Sequence, residues 1–209
     1  MSKKRSPLTA KQIITRAMEI LDQQGEAGLS MRQLAADFGV DPMAIYYHIP
    51  NKESLIDGVI NAVIGELELP GARDWQTQLR LLCHALRQVA RNHPKIYVIY
   101  SSYHKVIRAD FLIGEAFLKV FQLANLPPQD TIHALMTVMT YVCGFALEEA
   151  TGRRPYANYL DFEAIAHLTK DEFPTVHSYL ETAKDVDMDA EFEFGLDLMI
   201  AGIRQSTGS

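Results

Sequence analysis

The chain has 209 residues, 48% apolar and 9% aromatic, a net charge of −6 and two cysteines. That is enough apolar material to bury a core of one or two domains without disulfides or a structural metal, and the charge excludes a polyanion binder working by bulk basicity. The charge is uneven: residues 1–53 carry seven Lys/Arg against six Asp/Glu, and the remainder carries 13 against 20.

The basic start Lys3-Lys4-Arg5 leads into polar residues rather than an apolar signal core, and no membrane span is read, so the expected location is cytoplasmic with no membrane partner. From Thr9, Ile13, Ala17, Ile20 and Leu21 repeat at three and four with Lys11, Gln12, Arg16, Glu19 and Gln23 opposite. This spacing predicts a helix that stops at Gly25. Ser30-Met31-Arg32-Gln33 has the capping-box pattern and opens a second helix, with Leu34, Ala35 and Phe38 inward. Gly39 suits a left-handed turn, Asp41 is an N-cap, and Pro42 fits a first helical position, where its missing N–H is harmless. The third helix is short because Pro50 disfavours helical geometry at Ile49, and Asn51 caps a fourth, with Leu55, Val59, Ile60 and Val63 as its apolar stripe.

After Pro70-Gly71 come a long helix marked by Trp75, Leu79, Leu82, Leu86 and Val89, then helices from about Lys95 to Tyr103 and Asp110 to Leu123. The stretch from Gln129 to Thr151 is apolar nearly all round and must be covered on several sides. Residues 152–188 are acidic and Pro-interrupted, with one or two short helices expected. A last helix, about Asp189 to Arg204, carries Phe192, Leu196, Met199 and Ile203 on one stripe with Gly195 and Gly202 beside it. Strand alternation is absent from the sequence. The fold class expected is all-α: an N-terminal three-helix unit (1–56), a connector helix (52–68) and a helical body (70–209).

Two short helices joined by a tight Gly turn on a longer first helix make a helix-turn-helix, whose second helix enters the DNA major groove. Ile45 and Ile49 face the core with Val40, leaving Pro42, Met43, Ala44, Tyr46, Tyr47 and His48 on the outer surface. A Tyr hydroxyl or an imidazole can donate to a phosphate while its ring packs on sugars. Met43 and Ala44 can touch thymine methyls. Lys52 falls in the first turn of the fourth helix, where free N–H groups favour a phosphate. Ser30, Met31 and Arg32 at the start of the second helix complete the candidate DNA-binding set, with Arg32 the best polar reader. Lys3, Lys4 and Arg5 form either an arm on the DNA or a solubilising tail.

The stretch "SMRQLAADFGVDPMAIYYHIPNKESLIDGV" from Ser30 resembles the TetR family of bacterial transcriptional regulators, in its "LA..FGV" turn, its "AIYYH" and its "NK..L". "GFALEE" (Gly144–Glu149) and "FEFGLDLMIAGI" (Phe192–Ile203) are similar to the C-terminal domain of the tetracycline-repressor branch. The resemblance implies a homodimer whose two C-terminal helices pack across a twofold as a four-helix bundle, with Leu135, Val138, Val142, Phe145, Phe192, Leu196, Met199 and Ile203 at the interface. A twofold dimer reads two half-sites about 34 Å apart, so a pseudo-palindromic double-stranded operator follows. The resemblance further implies a small-molecule effector held by the body, with Tyr97, Tyr100, Tyr103, His104, Phe117, Phe121, Met136, Met139, Tyr141 and Phe145 as candidate lining. Glu148 matches a metal-assisting Glu of that branch, but Ile96 to Ser102 lacks the accompanying His, so tetracycline-magnesium recognition is not expected.

Cys83 and Cys143 stand apart in apolar stretches and read as small buried hydrophobes. Asp185 to Asp189 imitates a calcium loop, but Ala190 stands where Gly is needed and Leu196 where the bidentate Glu belongs. Neither a catalytic fingerprint nor a cofactor or metal site is found in the sequence. The function expected is a ligand-responsive DNA-binding regulator, a homodimeric repressor released by a small molecule. The alternatives are an activator or effector-independent DNA binder, or a small-molecule-binding helical bundle without DNA function.

Overall fold

The computed structural model describes residues 7–67, 71, 74–152, 170–180 and 187–207. The expected arm at Lys3, Lys4 and Arg5 lies outside them, as do most of residues 152–188. The described helices are α1 (Ala10–Gln24), α2 (Met31–Phe38), α3 (Pro42–His48), α4 (Lys52–Ile64), α5 (Trp75–Asn92), α6 (Pro94–Ser101), α7 (Arg108–Leu123), α8 (Pro128–Ala150), α9 (Pro174–Leu180) and α10 (Met188–Ser206), with one 3-10 turn at Glu26–Gly28. No strand occurs among the described residues.

Local chemistry accounts for the ends. The reciprocal capping box forms at α1, where Gln12 N–H donates to Thr9 Oγ1 and Thr9 N–H to Gln12 Oε1. At α2 only half of the expected box is made: Ser30 Oγ accepts from Gln33 N–H at 3.1 Å. Gly25, at φ 70°, ends α1 with its N–H on Leu21 O. Asn51 and Asp74 cap α4 and α5 through Ser54 and Thr77 N–H.

In the head, α1 packs on α2, α4 and α6, and α2 packs on α3; in the body, α8 packs on α5, α6, α7 and α10. One continuous core runs from Ile13 and Leu34 through Val59 and Leu86 to Phe117, Val142 and Phe192. α4 belongs to both halves, since it also meets α6 and α7. By length and composition alone α8 could cross a membrane, a test that a core helix also passes. Here it is the central helix of the body, with only its inner stripe covered within the chain.

Candidate nucleic-acid interface

The turn between α2 and α3 is built by backbone chemistry. Gly39 is left-handed (φ 63°, ψ 41°), its N–H reaches Ala36 O, and Val40 N–H reaches Ala35 O, each at 3.0 Å. This paired arrangement is a Schellman motif, which needs a residue free of Cβ strain at Gly39. Two residues later Asp41 Oδ1 accepts from Met43 N–H at 2.8 Å, and Pro42 takes the first helical position. α3 is thereby restarted immediately in a new direction. Its Ile45 and the following Ile49 are buried, while Met43 is 70% and Tyr47 87% exposed.

Tyr46 is exposed, and Pro42, Ala44 and His48 are half-buried on the same outer side. Tyr47 and His48 meet edge to face, with ring centroids 5.2 Å apart. Ser30 and Arg32 are exposed at the start of α2. Met31 is a correction: at 7% exposure it is part of the core, because the first turn of α2 directs it inward.

Lys52 sits in the first turn of α4, as read from the sequence, but it already has partners. Its Nζ donates to Glu26 O at 3.2 Å and lies 3.5 Å from Glu26 Oε1. Arg16, absent from the candidate set, ties α1 to α2 by donating from Nε to Asp37 Oδ2 (2.8 Å) and from Nη1 to Glu19 (2.7 Å). Sequence offers no sign of the Arg16–Asp37 pair, which spans 21 residues. The surface thus formed is a rigid, aromatic and weakly cationic face, suited to phosphate donation and apolar groove contact rather than to bulk electrostatic capture.

Two profiles cover most of the chain: "Bacterial regulatory proteins, tetR family" at residues 13–59 and "Tetracyclin repressor-like, C-terminal domain" at residues 68–207. The chain belongs to the tetR family. As a tetR-family protein it is a DNA-binding transcriptional regulator and not an enzyme. Apo ActR from Streptomyces coelicolor superposes with a TM-score of 0.82 at 26% identity, covering 98% of each chain. The same protein solved with actinorhodin gives 0.80 at 26% identity, covering 95% of this chain and 96% of that one. The tetracycline repressor protein class A from transposon 1721 of Escherichia coli is 26% identical, over 91% of this chain and 88% of its own.

In this tetR-family body the effector candidates lie in different settings. Tyr97, Phe117, Phe121 and Phe145 are buried in the core, Met136 is exposed, and His104 lies on the surface. Tyr100 donates to Asp110 Oδ1 (2.7 Å), which closes the α6–α7 corner, and Tyr103 donates to Asp57 Oδ1 on α4 (2.6 Å), which ties that corner to the head. Tyr141 donates to Phe192 O at 3.0 Å, and Met139 is half-buried beside the core. None of these residues lines the approximately 400 Å³ groove between α8 and α10 or the approximately 540 Å³ recess beside Arg91 and Glu149. Glu148 is half-buried at the end of α8; its neighbour Glu149 is the carboxylate drawn inside, onto Arg87. Burial pushes the Cys83 and Cys143 thiols upward, which favours the protonated form of each.

The expected dimer stripe also needs correction. Val138, Val142, Phe145, Phe192, Leu196 and Ile203 are buried within the chain, and only Leu135 and Met199 keep partial exposure. On α8 and α10 the large apolar residues left more than half exposed are Ile132 and Met136 on the first and Phe194 and Leu198 on the second, each pair four apart. The richest stripe of each helix is claimed by its own chain, and a second stripe remains uncovered.

Proposed function

We propose that the protein is a homodimeric repressor that holds a pseudo-palindromic operator with α3 of each subunit and is released by a small molecule bound in the body. The observation that carries the reading is the construction of α3: a seven-residue helix, capped by Asp41 and fixed by the Gly39 turn, with Met43, Tyr46 and Tyr47 turned to solvent. A soluble helix without a partner favours Glu and Lys on such a face, and this one bears rings and a thioether. Contact with DNA comes from Ser30, Arg32, Pro42, Met43, Ala44, Tyr46, Tyr47, His48 and Lys52. Uncovered apolar pairs on α8 and α10 support the twofold partner. A regulator of this kind works in the cytoplasm, where its operator is.

Effector binding is supported by the family and by ActR, which has been solved with actinorhodin. With the aromatic candidates buried or occupied in intrachain hydrogen bonds, an effector held by them enters by rearrangement around α6 and α7. Effector and operator then weaken each other by the same factor, typically about 5- to 150-fold. The test is footprinting of the DNA upstream of the gene with the purified protein, repeated with actinorhodin as the first probe. Protection of an inverted repeat is expected; a uniformly cleaved upstream region would refute the reading.

A further inference from the structure

His93 stands at the corner where α5 ends and α6 begins. Its N–H donates to Val89 O, and its carbonyl accepts from Tyr97 N–H. The side chain is largely enclosed and reaches back to the head in two directions: Nδ1 lies 2.8 Å from Asp22 Oδ2 on α1, and Nε2 lies 3.1 Å from Glu66 Oε2 just beyond α4. A carboxylate beside each ring nitrogen is served in full only when both nitrogens carry hydrogens, so the geometry is that which suits an imidazolium. The remaining charged groups at this corner are accounted for. Lys95 of α6 donates to Gln23 O at 2.6 Å, and Arg91 of α5 is engaged with Glu149 and Asp189. Neither competes for Asp22 or Glu66. Asp22 Oδ1 is buried without a hydrogen-bond partner, so Asp22 relies on its other oxygen and therefore on His93.

We infer that His93 is a positioning residue for DNA binding: as an imidazolium held by carboxylates from α1 and from the end of α4, it fixes the DNA-binding head against the body. A neutral imidazole has one N–H and can satisfy one carboxylate, so deprotonation releases one side of the clamp. Operators with two half-sites require both heads at a set spacing, and a head fixed in advance loses less freedom on binding. The clamp therefore strengthens binding to the paired half-sites while leaving contact by a single head unchanged. Burial alone pulls the imidazole's pKa down; the hydrogen bonds to Asp22 and Glu66 outweigh it and leave the pKa above the usual histidine value. The clamp is thus intact while the imidazole stays protonated and is lost as pH rises through the elevated value.

The test measures affinity of the full-length protein for a labelled duplex of its own upstream region, by fluorescence anisotropy, from about pH 5.5 to about pH 9, a range that brackets histidine titration. Taking the ratio of wild type to His93→Gln cancels pH effects that arise elsewhere in the protein and in the duplex. The ratio is expected to fall on the order of fivefold to tenfold as the imidazole deprotonates. Glu66→Gln, which keeps the Asp22 bond and lets a neutral imidazole serve, should flatten the wild-type profile and lower the His93 pKa read by NMR; it also stands in should His93→Gln fold poorly. Parallel profiles for wild type and Glu66→Gln, affinity that rises on deprotonation, or a His93 titrating at or below the ordinary value would each overturn the inference.

Discussion

Arg87 and Glu149 meet inside the body as a two-point pair, Nε to Oε2 at 2.7 Å and Nη2 to Oε1 at 2.6 Å. The guanidinium is 2% exposed, lies 4.5 Å from the Phe192 ring centre and 5.0 Å from that of Phe145, and also reaches Asp189 Oδ1 at 2.8 Å. One side chain therefore joins α5, α8 and α10. A buried pair contributes little net stability beyond an apolar equivalent, but half of one is costly. Arg87→Met leaves Glu149 with only Arg91, 3.3 Å away. A destabilisation of about 3 kcal/mol in urea unfolding is expected. Arg87→Met combined with Glu149→Leu should recover most of it, and strict additivity of the two single effects would show that the pair does not act as a unit.

Gly195 on α10 is required by Tyr141 on α8. A Cβ at position 195 would overlap the Tyr141 hydroxyl and ring carbons. The ring cannot easily retreat, because it stacks on Phe192 at 5.7 Å and its hydroxyl donates to the carbonyls of Glu191 and Phe192. Gly195→Ala is expected to cost about 1–3 kcal/mol through overpacking, despite the better helix propensity of Ala. Adding Tyr141→Leu should relieve the clash. Thermal melting of the two variants checks this, and a Gly195→Ala protein as stable as wild type would mean that α8 and α10 can slide apart freely.

Much of the architecture is legible because it is written in short-range signals. Gly39, Asp41-Pro42 and Pro50-Asn51 fix the turn, the start of α3 and the start of α4, and each acts within a few residues. Ile45 and Ile49 identify the inner side of α3, and therefore its outer side, by helical spacing alone. Met31 is misread from sequence because position in a capping pattern says nothing about which way the first turn faces. The dimer stripe is misread for a related reason: Phe192, Leu196 and Ile203 are the most regular apolar series on α10, and periodicity cannot tell whether α8 of the same chain or a partner covers it. The pairs that join head to body, Tyr103 with Asp57 and His93 with Asp22 and Glu66, link residues 27 to 71 positions apart. They leave no trace in spacing.

Lys52 and Glu26 define a test of phosphate binding. If Lys52 leaves Glu26 for a phosphate when DNA arrives, Lys52→Ala should lower the slope of log affinity against log salt by roughly 0.9 for each phosphate it no longer neutralises, with sequence preference kept. Glu26→Gln should strengthen binding to all duplexes, and should do nothing further once Lys52 is Ala. Slopes that are identical across wild type and Lys52→Ala in anisotropy titrations would remove Lys52 from the interface. Tyr47→Phe belongs in the same series: it deletes the hydroxyl on the most exposed ring of α3 and should weaken binding on the order of fivefold, the scale of one hydrogen bond.

The uncovered pairs on α8 and α10 set apart two kinds of apolar substitution. Leu198→Glu and Met136→Glu place charge where each chain exposes more than half of a large apolar side chain. A charge there costs an isolated subunit little but opposes burial against a second copy, so sedimentation should show monomers with near-native helicity. Phe192→Ala removes a ring that is 0% exposed and packs on Tyr141, Phe145 and Arg87. Its cost of about 3–5 kcal/mol falls on the fold of each subunit rather than on association. The contrast is the decisive feature. Should Phe192→Ala dissociate a fully folded dimer while Leu198→Glu leaves it intact, the stripe read from periodicity would be the true interface, and the exposed pairs would belong to some other surface.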